Sequence, residues 1–143
     1  MRVVLDTNVV VSRYLSRGGP PAEILSRWED GDFDVLVSED MLAEYGRVLA
    51  YPRLIALHHL TQDEIQTIVG RFRSFGIGVG EAPVLPVIET EPDDDKVLAC
   101  ARAGGASVIV TGDAHLLTLG QYEGIEILTP AAFLAALDAG LAW

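Results

Sequence analysis

The chain is short of cysteine, lysine and long apolar runs, and each shortage removes a class of explanation. Cys100 is the only cysteine among 143 residues, which excludes an internal disulfide and any thiolate metal cluster. Its neighbours Leu98, Ala99 and Ala101 mark it as small core filler. Lys96 is the only lysine, and ten basic side chains stand against 21 carboxylates for a net charge of -11. That balance opposes affinity for phosphate backbones, which normally comes from clustered cations. Nine of the ten basic residues are Arg, a type suited to bidentate phosphate contacts, but they are spread along the chain and the sequence assigns them to no one face. Every apolar stretch is broken by Asp, Arg or Gly well short of the roughly 20 residues a membrane span needs. Met1 leads at once into an apolar strand pattern without the core of a signal peptide, so the expectation is a soluble cytoplasmic protein with no membrane association. Hydrophobic residues make up 50%, which excludes disorder, and the length fits a single domain over residues 1–143.

What is present is a recurring pattern of short apolar runs that end on polar or acidic residues. Val3-Val4-Leu5 meets Asp6-Thr7-Asn8; Phe33 to Val37 meets Ser38-Glu39-Asp40; Val108-Ile109-Val110 meets Thr111-Gly112-Asp113. Runs of this kind are buried parallel strands leaving a sheet, and in open α/β sheets ligands bind where those strands end. Between them lie helical patterns. A short helix is expected over Val9 to Ser16, and a second over Ala22 to Glu29 with Pro21 at its start. A third, capped by Ser38, carries Met41, Leu42, Tyr45, Val48 and Leu49 on one face and stops near Tyr51-Pro52. Thr61 to Glu64 is a capping box opening an amphipathic helix through Ile65, Ile68, Val69, Phe72 and Phe75, which serves either as core or as an interface. Gly76 to Gly80 reads as loose, and Pro83 and Pro86 limit Val84 to Ile88 to an edge strand or extended connection. Asp93-Asp94-Asp95 occupies the cap and first turn of a helix ending at Gly104-Gly105. Then come a strand over Ser107 to Val110, a short helix over Asp113 to Leu119, a strand over Ile125 to Leu128 and a helix capped by Thr129. Alternation of this kind predicts a three-layer α/β/α sandwich around a mainly parallel sheet.

Asp6, Glu44, Asp95 and Asp113 are each expected at or just beyond the carboxyl edge of that sheet. Two ionised carboxylates about 5 Å apart repel by roughly 3 kcal/mol at an effective dielectric of about 20, so a convergent set takes up either protons or a cation. With oxygen donors alone, that cation is hard, Mg²⁺ or Mn²⁺, and such a site suits phosphoryl chemistry. Each residue also has a plainer role. Acids in a first helical turn complement the dipole, Asp113 is placed to cap a helix, and Glu44 could be a solvated flank. Asp6 is harder to dismiss, because Asn8 would serve equally well to cap a helix beginning near Val9. Thr7, Asn8, Ser38 and Thr111 are ordinary turn and cap types; around a site they would orient carboxylates or a bound water. His58 and His59 have no ligand partner at useful spacing, and His115 reads as an exposed helix residue.

Taken in order, Leu5-Asp6-Thr7-Asn8-Val9, Ser38 through Glu44 to Leu49, Asp93-Asp94-Asp95-Lys96-Val97-Leu98-Ala99 and Val110-Thr111-Gly112-Asp113 resemble the PIN-domain nucleases. The nearest likeness is to the bacterial branch of toxin-antitoxin toxins related to VapC, and it spans essentially the whole chain. The resemblance implies an α/β/α sandwich, four acids holding one or two Mg²⁺ or Mn²⁺ ions, and metal-dependent endoribonuclease cleavage of single-stranded RNA. Position by position, Asp6 matches the first acid, Glu44 the second, Asp95 the third and Asp113 the fourth, with Asp93 as a helper. It further implies a small antitoxin protein as partner and a homodimer. The alternatives are a catalytically silent PIN-like scaffold that binds protein or RNA, and a DNA-directed nuclease. A phosphoacceptor receiver domain needs a lysine at a late strand end, and Lys96 lies in a helix; a dehalogenase-type phosphatase needs an acid where Asn8 stands.

Overall fold

The computed structural model describes residues 1–80 and 92–140, with side chains from residue 95 onward in the second part. The element order is β1 (Arg2–Leu5), α1 (Thr7–Leu15), α2 (Pro20–Glu29), β2 (Asp34–Val37), α3 (Glu39–Leu49), α4 (Pro52–His58), α5 (Gln62–Phe75) and β3 (Ile77–Gly78). After these come α6 (Pro92–Gly104), β4 (Val108–Val110), α7 (Ala114–Leu119), β5 (Gln121–Tyr122), β6 (Ile125–Leu128) and α8 (Pro130–Asp138). The expected extended segment Val84 to Ile88 and the side chain of Asp93 fall outside the described residues.

The strands form one sheet in the order β3-β2-β1-β4-β6-β5, parallel throughout except for β5 against β6. Val3, Val4 and Leu5 are wholly buried, as expected of a central strand covered on both faces. From β1 the chain moves one way to β2 and β3, then returns to place β4 and β6 on the other side. Right-handed crossovers put the connecting helices of the two directions on opposite faces, which gives the three-layer α/β/α sandwich. The reversal falls between β1 and β4, so a crevice opens at the carboxyl ends of those two strands, and Asp6 and Thr111 are the first residues beyond them.

Local chemistry accounts for most element ends. Ser38 Oγ accepts from the Met41 amide, Thr61 and Glu64 complete the capping box, and Thr129 Oγ1 accepts from the Ala132 amide. Helix α5 turns Ile65, Ile68, Val69 and Phe72 into the core, whereas Phe75 is 76% exposed. Phe72 stacks on Trp28 at 4.8 Å and meets Tyr45 at 5.2 Å, tying α5 to α2 and α3. Gly76 is required where α5 passes into β3: a Cβ there would lie 2.5 Å from the Phe72 carbonyl oxygen, a backbone atom that cannot step aside.

Four expectations need correction. Helix α1 begins at Thr7, two residues earlier than Val9, and its cap is Asp6. The break expected at Tyr51-Pro52 is followed at once by α4, because a proline that ends one helix is also a favoured first residue of the next. Ile77–Gly78, within the stretch read as loose, pairs with Leu36 and Val37 as β3. Gln121–Tyr122 adds the antiparallel β5. Two-residue strands carry too little periodicity to be seen in a sequence.

Replacing Phe72 by Ala is expected to cost about 3–5 kcal/mol in urea unfolding, and replacing Phe75, three residues on, to change stability by no more than about 0.5 kcal/mol. Equal effects would mean that α5 presents a different face to the sheet.

Candidate active site

The end of β1 is fixed before any acid is considered. The Asp6 amide donates to the Val110 carbonyl at 2.9 Å, continuing the β1–β4 ladder one residue further. From α3, the Tyr45 hydroxyl donates to the Leu5 carbonyl at 2.5 Å. The Asp6 side chain is therefore delivered to the crevice by a backbone held from both sides.

Asp6 is only 5% exposed and is surrounded by donors. Oδ1 accepts from the Thr7 amide at 2.7 Å, and Oδ2 accepts from Asn8 Nδ2 at 2.9 Å and Thr111 Oγ1 at 2.7 Å. Those bonds fill three of the roughly four acceptor positions of a carboxylate. Burial nevertheless raises its pKa above the ordinary 3.8, and the charge of Asp113 pushes the same way, against the lowering effect of the bonds from Thr111, Thr7 and Asn8. Two threonines extend the network. The Thr7 hydroxyl donates to Glu44 Oε2 at 2.6 Å, and Thr111 Oγ1 accepts from the Asp113 amide at 2.9 Å. Glu44, Thr7, Asp6, Thr111 and Asp113 are thus joined in one continuous chain of bonds. Gly112 closes it, donating its amide to Asn8 Oδ1 at 2.8 Å; a Cβ at Gly112 would come within 3.3 Å of that oxygen.

Glu44 is buried, which overturns its reading as a solvated flank, and Arg47 one turn on lies 3.6 Å from its Oε1. Asp113 does cap α7, with Oδ1 accepting from the His115 amide at 2.7 Å, and is half-buried. Asp95 is 5% exposed in the first turn of α6. At the other end of α6, Arg2 donates to the Gly104 carbonyl at 3.0 Å, so that end sits at the start of β1. Nine residues of helix rise about 14 Å and the four steps from Arg2 to Asp6 about 13 Å, which brings Asp95 level with Asp6 along the sheet.

Ser38 caps α3 and its side chain meets the buried Cys100 thiol, whose pKa burial pushes up to about 11. Among the described residues, no three His, Cys, Asp or Glu side chains stand close enough to hold a metal ion. Asp6, Glu44 and Asp113 are each bonded to a neighbouring donor. The donor set itself, oxygen throughout, fits a hard divalent cation. His58 is structural, bonded through Nε2 to the Leu49 carbonyl and through Nδ1 to the Leu60 amide.

Sequence reading missed the part played by Tyr45. Its place in the apolar stripe of α3 made it core, and it is wholly buried. Its phenol is also held well above the usual pKa by burial first, then by Cys100, Asp6 and Glu44. No spacing signal separates such a tyrosine from its apolar neighbours.

A mainly parallel α/β/α domain whose strand order reverses between β1 and β4 has the architecture of an α/β protein that binds ligands at its strand ends. The family is shown by comparison: the chain belongs to the PIN domain family, whose model matches residues 2–115. PIN domains are generally nucleases and typically use divalent metals. The chain is also similar to an uncharacterized protein of Methanocaldococcus jannaschii, 29% identical over 119 residues that cover 83% of this chain and 75% of the relative.

The raised pKa of Asp6 means that the folded chain holds this proton more tightly than the unfolded chain does. The associated stability is complete below the ordinary carboxylate value and is lost as pH rises through the raised one. In chelator, the stability of the wild type relative to Asp6→Asn should accordingly fall as pH rises above the ordinary carboxylate value. A pH-independent difference in denaturant titrations would show that Asp6 is not held in this environment.

Proposed function

We propose that this chain is a metal-dependent endoribonuclease acting on single-stranded RNA, the toxin of a toxin-antitoxin pair. The reading is carried by the bonded chain from Glu44 through Thr7, Asp6 and Thr111 to Asp113 at the switch point of a PIN domain. In it, Asp6, Glu44, Asp95 and Asp113 hold one or two Mg²⁺ or Mn²⁺ ions, with Asp93 as a helper. When bound, such an ion polarises a phosphate oxygen and lowers the pKa of a coordinated water. Asp6 is the fixed member, since three donors and the β1 backbone set its position. Glu44, steadied by Thr7, positions the attacking water.

The water oxygen forms a bond to phosphorus as the bond to the 3′ oxygen breaks. The water gives up its proton to solvent and the 3′ oxygen takes one up, leaving 5′-phosphate and 3′-hydroxyl ends. Thr7, Asn8 and Thr111 orient the carboxylates, and Ser38 anchors the helix that carries Glu44. The partners proposed are a small antitoxin protein that covers the acidic edge and a second copy of the chain.

A second reading, a PIN scaffold that binds without cutting, draws on one observation: no three acids are gathered for a metal among the described residues. One assay separates the two. Single-stranded RNA incubated with the protein and Mn²⁺ should be cut by the wild type and not by Asp6→Asn, while Thr111→Val should be slowed by about 10–100-fold. Equal cleavage by wild type and Asp6→Asn would assign the activity to a contaminant, and no cleavage by either would favour the scaffold. Millimolar Mn²⁺ should also raise the melting temperature of the wild type more than that of Asp6→Asn, because a ligand of the native state alone stabilises it.

A further inference from the structure

Acidic side chains are very unevenly distributed along this chain. Four runs of 16 to 18 residues contain no Asp or Glu: 7–22, 45–62, 65–80 and 96–112. Together the first two carry Arg13, Arg17, Arg47 and Arg53, four of the ten basic residues, and none of the 21 carboxylates. The remaining 109 residues hold all the acid and a net charge of -15. In sequence the two stretches are far apart. In the fold they are neighbours, because α1 packs against both α3 and α4.

The resulting face has three further features. It adjoins the acidic edge, since α1 starts at Thr7 immediately after Asp6, and Arg47 lies 3.6 Å from Glu44. Its cations are accessible: Arg17, Arg47 and Arg53 are exposed, while half-buried Arg13 lies over the ring of Tyr14, 5.3 Å from its centroid. It shows flat or apolar side chains to solvent, with Tyr51 37% and Leu57 66% exposed, and α4 has no buried residue. At one end it is bordered by Glu29, whose charge reaches Tyr14.

We infer that the α1–α4 face is the track on which a single-stranded RNA lies as it enters the acidic edge. This inference rests on the endoribonuclease reading. Phosphates would be held by Arg17, Arg47 and Arg53, and bases would stack on Tyr51 and on the Arg13–Tyr14 pair, the combination of cations and aromatic platforms that single strands require. The rest of the chain carries a net charge of -15, although its own acid-free runs 65–80 and 96–112 also hold basic residues. The face thereby resolves the conflict between a strongly acidic chain and a polyanionic substrate. A second copy of the chain, drawn to Leu57 and Tyr51, is the competing occupant.

The test is fluorescence anisotropy with a labelled oligouridylate in chelator, from about 50 to 200 mM salt. The Arg17→Gln/Arg53→Gln double variant should bind about tenfold more weakly at the low end. Its log–log salt slope should be shallower by about 1.4, two contacts at about 0.7 each. Tyr51→Ala should weaken binding and leave the slope unchanged, and Arg102→Gln should leave both unchanged. Arg17 lies outside any helix, so its single replacement repeats the test without touching packing.

Wild-type affinity and slope in the double variant, or no binding by the wild type, would overturn the inference. So would a wild-type dimer that Leu57→Asp dissociates while RNA binding persists. Binding that depends on this face, without cleavage in Mn²⁺, would support the track and sink the nuclease reading. Cleavage that ignores the double variant would do the reverse.

Discussion

The structure depends on keeping a carboxylate buried at the end of its central strand. Asp6 follows three wholly buried residues and is itself 5% exposed, in surroundings that disfavour its charge. Everything adjacent offsets that cost. The backbone at β1 is tied to β4, Tyr45 secures the preceding carbonyl, and Thr7, Asn8 and Thr111 supply three donors from two separate parts of the chain. A buried acid that only completed a fold would be replaceable by a neutral side chain of the same shape. Here the acid is kept, surrounded by oriented donors and linked through them to Glu44 and Asp113.

The same network holds the neighbouring acids in place. Glu44 and Asp113 are each bonded to a hydroxyl, an amide or an arginine nearby. The like charges still act on one another, since Asp113 adds to the raised pKa of Asp6, and the hydrogen bonds from Thr111, Thr7 and Asn8 oppose that effect. Thr7 and Thr111 are the links of this arrangement, their hydroxyls donating to Glu44 and to Asp6.

Much of the fold was legible because burial imposes periodicity. The strands at Val3, Val35 and Val108, the face of α5 and the caps at Ser38, Thr61 and Thr129 all follow from the local order of apolar and hydrogen-bonding residues. The strands Ile77–Gly78 and Gln121–Tyr122 were not legible, since two residues define no period and their pairing is set by a neighbouring strand. Helix α4 was hidden by Pro52, which reads as a stop and acts as a start. At the site, the positions of Asp6 and Asp113 at strand ends could be read directly. The burial of Glu44 could not, because a residue bordering an apolar stripe is covered or exposed according to what packs beside the helix.

By itself the sequence determined the alternation of strands and helices and the placement of Asp6 and Asp113 at strand ends, because side-chain period and capping chemistry are local properties. It also held the acid-free stretches 7–22 and 45–62, though without showing that they are neighbours. Only the tertiary structure decided that β1 and β4 lie side by side, so that Thr111 reaches Asp6 across 105 positions, and that α1 and α4 share a face. Those juxtapositions come from crossover connections and helix packing, which join residues through space with no regular relation to their distance along the chain.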